Sequence, residues 1–115
     1  MAKPIQYQIL AEARLLIGDP EHWCRGRFAV SKAGRTLVSG SQRAAQHCAV
    51  SAIVAAARRT VASRPDANRI ADGIMLAIAP SGSDPAAAQK YIWSINDYHG
   101  HGAVMELFDT ALAMY

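Results

Sequence analysis

Residues 44–57, AAQHCAVSAIVAAA, are apolar almost all the way round a helical wheel. A surface helix shows one apolar stripe, so a segment with no polar face belongs at the centre of a fold. No glycine or proline interrupts the chain from Ser41 to Ala62, and SGSQ at 39–42 has the form of a capping box. Ser39 would cap and Gln42 would reach back. The reading is one buried helix over 41–62, whose exposed end begins at Arg58 and Arg59, cations that complement the helix dipole. Such a helix has to be wrapped by the rest of the chain. At 115 residues there is length for a single domain, 1–115, with a core that needs no staples.

The wrapping elements follow from local signals. Pro4 suits the first turn of a helix, and Ile5, Ile9, Ala13, Leu16 and Ile17 recur at helical spacing until Gly18 and Pro20. Phe28 and Val30, then Thr36 and Val38, alternate with polar neighbours on either side of a reversal at 32–35. Gly34 can supply the positive φ that the reversal needs, which predicts a short β-hairpin lying on the helices. Pro65 is expected to force the chain out of helix. Ile70, Ile74 and Ile78 predict a helix over 70–78, with a short buried strand as the alternative. Asp84 and Pro85 begin another helix, NDYHGHG at 96–102 ends it, and Val104, Leu107, Phe108, Ala111 and Leu112 face the core from a last one. The fold class is therefore mostly α (α+β): a compact bundle of four or five helices with one small β-hairpin.

Charge is unevenly spread within a net +3. Between His22 and Pro65 there is no acid, while Arg25, Arg27, Lys32, Arg35, Arg43, Arg58, Arg59 and Arg64 fall there. From Leu76 onward Asp84, Asp97, Glu106 and Asp109 stand against Lys90 alone. The two regions can pair with each other, or the basic one can meet an anionic partner such as nucleic acid. No apolar run reaches the roughly 20 residues of a membrane span. MAKPIQYQ lacks the apolar stretch of a signal peptide, so the expected location is cytoplasmic, in its own cell or a host. Two cysteines are too few for a disulfide framework and read as free thiols.

HWCRGRF at 22–28 holds the obvious nucleophile candidate. Arg25 and Arg27 would lower the pKa of Cys24, and His22, His47, His99 or His101 would have to act as base. The competing reading makes Trp23 an apolar anchor, Gly26 the entry to the hairpin, Cys24 incidental, and the arginines solvent-facing or partner-facing. Cys48, in the alanine-rich run, reads as a small buried hydrophobe. Asp97, His99 and His101 are metal-binding types, but nothing nearby promises a complete ligand set. Asn96 and Asp97 tolerate turn geometry and hydrogen-bond nearby amides, so they are expected at the turn between two helices. Trp23 and Trp93 are core anchors, or, if exposed, interface or base-stacking residues. No glycine-rich phosphate loop and no Ser–His–Asp arrangement is discernible, and no cofactor is implied.

These landmarks carry a resemblance. A first helix is followed by W-x-x-G (Trp23, Gly26) before a hairpin, a helix like C-A-L-G-A-L (Cys48, Ala49, Ala52, Ile53), and N-D-x-x-G (Asn96, Asp97, Gly100) before a final helix. The chain resembles a family of short bacterial and phage proteins catalogued only as a domain of unknown function. It departs at Ser51, where the pattern has glycine, and at Ile95, where it has a second tryptophan, with Trp93 two residues upstream. The resemblance implies a fold and no activity; its phage context suggests an inhibitor of a host complex. The functional expectation is a small non-enzymatic interaction module with a protein partner, using Trp23, Arg25, Arg27, Arg58, Arg59, Trp93, Asn96 and Asp97. A nucleic-acid-binding protein using the basic stretch 22–65 stands second, and a cysteine-dependent enzyme third.

Overall fold

In the computed structural model, which describes residues 3–115, the apolar run is divided between a strand and a helix. The helix, α2, is Ala49–Thr60, and eight of its twelve residues are buried. It packs against α1 (Ile5–Ile17), α3 (Arg64–Ile78) and α4 (Pro85–Leu112). Its alanines let the neighbours approach closely, while Ile9, Leu10, Ile17, Ile74, Ile92 and Phe108 converge on it from those helices, fully buried.

The hairpin is part of a three-stranded antiparallel sheet. β1 (Ala29–Ser31) lies between β2 (Thr36–Leu37) and β3 (Ala44–His47), with Ala29 opposite both Leu37 and His47. The helix predicted from Ser41 thus begins eight residues later. Residues 44–47 bond to β1 instead of to themselves, and Cys48, expected mid-helix, is the N-cap of α2. Ser39 caps nothing.

Two further boundaries differ from expectation. Pro65 does not end helical structure; it sits in the first turn of α3, where its missing N–H is no loss, behind the Ser63 cap. α3 therefore starts at Arg64 and accommodates Gly73, whose surroundings are open. α4 begins at the expected Asp84 cap but runs on through Asn96 and Asp97, breaking only at Gly100 (φ 88°, ψ 179°).

One loop glycine is sterically required. Gly40 has φ 81°, and a Cβ there would lie 2.5 Å from Val54 Cγ1 and 2.9 Å from Arg58 Nη1. Gly34 has φ 87° but open space around it. Gly40→Ala is expected to lower stability by about 2–4 kcal/mol, positive φ plus overpacking, and Gly34→Ala by about 1 kcal/mol, positive φ alone. Urea denaturation of the two variants checks the order.

Candidate functional site

Asn96, fully buried in α4 one turn before Gly100, uses its whole amide. Its Oδ1 accepts from Trp23 Nε1 at 2.6 Å and from the backbone N–H of Ala49 at 2.9 Å. Its Nδ2 donates to Cys24 O and to Asp97 Oδ1, each at 3.0 Å. The Ala49 N–H is the first of α2, so a side chain on α4 caps α2 beside the weak sulfur cap from Cys48. Asp97 Oδ1 also accepts from Gly26 N at 2.9 Å. Asn96 and Asp97 do bond backbone amides, but distant ones, and from inside a helix instead of a turn.

The surrounding groups are similarly committed. The Arg25 guanidinium lies 5.2 Å over the half-buried Trp23 ring, and His101 meets that ring edge-on at 5.5 Å. His101 Nε2 donates to Ile17 O at 2.7 Å, closing the end of α1. Among the described residues no three His, Cys, Asp or Glu side chains gather as a metal site. Asp97 faces Gly26, His101 faces Ile17, and His99 lines a separate shallow groove with Glu106 and Thr110.

Cys24 is buried, with Sγ 3.4 Å from Arg27 O. Burial pushes its thiol up to about 11, outweighing the opposite pull of Arg27. That reverses the direction expected from its arginine neighbours, because desolvation disfavours thiolate more than an exposed cation restores it. Burial takes Cys48 to about 12. His47, also buried, shares a hydrogen bond between Nδ1 and the Ser51 hydroxyl (2.7 Å), whose oxygen accepts from Gly40 N (2.9 Å). Ser51 thus stands at the departure from the family-like glycine and ties the 38–41 loop to α2.

The basic stretch is not a row of free cations. Arg59 reaches Glu12 and Gln42, Arg58 bonds Asn68 and Ser39 O, and Arg27 bonds Gly34 O. Asp109, at the acidic end, pairs with Arg14 from outside that stretch. Trp93 is half-buried and packs edge-on to the exposed Tyr98.

An open cleft of about 460 Å³ lies between the sheet, α2, α3 and α4. Val38, Phe28, Val54 and Met75 form its apolar walls, and Ser39, Arg58, Asn68, Asp72 and Gln89 its polar ones. A second cleft of about 280 Å³ shares Phe28 and Gln89 and continues to Lys90 and Trp93. Of the residues expected to bind, Arg58 and Trp93 lie on this groove, whereas Trp23, Asn96 and Asp97 belong to the buried junction. Phe28, Val38, Ser39, Asp72 and Gln89 were not foreseen as a site. In the sequence Phe28 and Val38 showed only as apolar positions of the hairpin alternation, and Ser39 only as a helix cap.

The chain belongs to a family of unknown function, DUF6197, whose model matches residues 1–114. No curated protein and no solved structure matches it.

Two outcomes follow from this geometry. Asn96→Ala leaves the Trp23 Nε1, the Ala49 N–H and the Cys24 carbonyl without their partner. At about 1–3 kcal/mol per unsatisfied group, a loss of about 3 kcal/mol or more is expected in urea denaturation. Trp23→Phe, which leaves Ala49 on Asn96, is expected to cost less. Separately, burial and Arg59 lower His47 from 6.5 to about 4. The unfolded chain then binds the extra proton first, so stability is full above pH 6.5 and falls as the pH drops towards 4. At about 1.36 kcal/mol per unit the loss approaches about 3 kcal/mol. His47→Asn, whose Oδ1 can replace Nδ1 as acceptor, should flatten that dependence in denaturation series from pH 7 to 4.

Proposed function

We propose that this member of the family is a small non-enzymatic interaction module that binds a protein partner along the Phe28 groove. The continuity of the groove carries the reading. It runs from Val38, 76% exposed, past Phe28 to Trp93, with an apolar floor and with Arg58, Asp72 and Lys90 at its sides. Apolar anchors flanked by charges are the composition of interfaces. The would-be reactive groups favour the same conclusion: Cys24, Cys48 and His47 are buried and held in their un-ionised forms. Among the described residues no helix is long and apolar enough to cross a membrane. We place the module in the cytoplasm of its cell or of a host, and in a phage or mobile element it would work by occupying a host complex. Nucleic-acid binding is the weaker reading, because Arg59 already pairs with Glu12, and Trp23, the tryptophan of the basic stretch, is held at the junction by Asn96.

Photo-crosslinking tests this. Benzoylphenylalanine at Val38 is expected to capture a protein that the same group at Leu15, exposed on α1 outside the groove, does not. Calorimetry with that purified protein should show at least about a tenfold loss, about 1.4 kcal/mol, for Val38→Asp, with an unchanged denaturation midpoint. Equal capture at both positions, or unchanged affinity, overturns the reading.

A further inference from the structure

We propose that the recess between Ser39 and Arg58 is a carboxylate subsite, which takes an acidic side chain of the partner beside an apolar one held by Phe28, Val54 and Met75. This rests on the reading of the groove as the binding surface and names the chemistry it selects.

Two independent observations meet there. The Ser39 hydroxyl oxygen is buried yet has no hydrogen-bond partner among the described residues, and Ser39 lines the cleft. Folded proteins leave few buried polar atoms unpaired, and this one, in a residue that lines the cleft, is the donor we assign to the ligand. Arg58, half-buried on the same wall, spends Nε on Asn68 Oδ1 (3.2 Å) and Nη1 on Ser39 O (3.4 Å), both neutral acceptors. No carboxylate among the described residues pairs with it. Burial and the nearby Arg64 hold its pKa below the ordinary value, the mark of a cation whose charge is under-compensated.

A guanidinium whose Nη2 is uncommitted and an unpaired hydroxyl together present donors with no carboxylate paired to the cation, which suits a carboxylate. Asp72 is the one acid among the residues lining the cleft. It limits the site to a single negative group and disfavours a highly acidic segment. Lys90, beyond Gln89, adds to the positive side. The apolar walls then accept the neighbouring side chain.

The probes are 3-phenylpropionate, the neutral 3-phenylpropionamide and phenethylammonium, titrated into isotopically labelled protein and followed by NMR. The carboxylate is expected to shift the Ser39 and Gly40 amides and Arg58 Nε–H, with Kd on the order of 1 mM, and the other two to bind at least about fivefold more weakly. Ser39→Ala should weaken the carboxylate several-fold without lowering the denaturation midpoint, since the hydroxyl has no internal bond to lose. Arg58→Gln should abolish binding; should that variant unfold, Ser39→Ala and the probe series decide. Amide binding equal to the carboxylate, tighter phenethylammonium, no shifts at about 20 mM, or a lowered midpoint in Ser39→Ala each overturns the subsite. A Val38-crosslinked partner indifferent to Ser39→Ala and Arg58→Gln removes the subsite and leaves the interaction module. Carboxylate occupancy with no Val38-specific partner does the reverse.

Discussion

One side-chain amide holds the architecture together. Asn96 joins the Trp23–Cys24 loop, the first turn of α2 and the end of the helical run before Gly100. The partners it holds lie 47 to 73 positions from it in the chain. A buried amide is tolerable only when every donor and acceptor is used, and here all are. A shift of the loop, of the α2 start or of α4 would leave several buried groups unpaired at once, which couples three elements more sharply than apolar contact does. The same constraint gives the resemblance a physical meaning. Trp23, Gly26, Ala49, Asn96 and Asp97 all join one network, Cys48 caps the same helix start, and Gly100 ends the helix where a Cβ would crowd Arg25 at 3.3 Å.

What was legible in the sequence had a local cause. The α1 stripe, the Gly34 reversal, the Asp84–Pro85 start and the final apolar face each depend on residues within a turn or two. What was not legible depends on partners elsewhere. Alanines at 44 and 45 read as helix formers, yet their backbone serves β1, and the α2 cap that makes a start at Ala49 affordable lies on α4. Asn96 and Asp97 suggest a turn because such side chains commonly bond their own backbone. Here they are drawn to amides across the fold, so the helix continues beneath them.

The candidate site was hidden for the same reason, in two forms. Cys24 looked activated because its arginine neighbours are visible in sequence, while the burial that dominates its pKa is not. The groove has no contiguous motif at all: Phe28, Val38, Arg58, Asp72 and Gln89 come from separate elements. Only the folding of the segments that flank β1 and β2 beside α2, α3 and α4 assembles them.

The distribution of satisfied and unsatisfied polar atoms then separates scaffold from surface. At the junction every polar atom of Asn96 is used, and in the Gly40–Ser51–His47 chain the serine hydroxyl bridges a backbone N–H and a ring nitrogen. One residue from that chain, Ser39 carries a buried hydroxyl with nothing to bond among the described residues. Gly40 explains how that persists. Its N–H is held by the Ser51 hydroxyl, which ties the loop to α2 and keeps Ser39 beside Arg58. A rigid loop that retains an unpaired hydroxyl loses stability it could recover by an alanine. On the proposed reading a ligand supplies the missing bond, so the cost falls at the 38–40 loop beside the groove, whereas Cys24 is buried with its thiol held un-ionised.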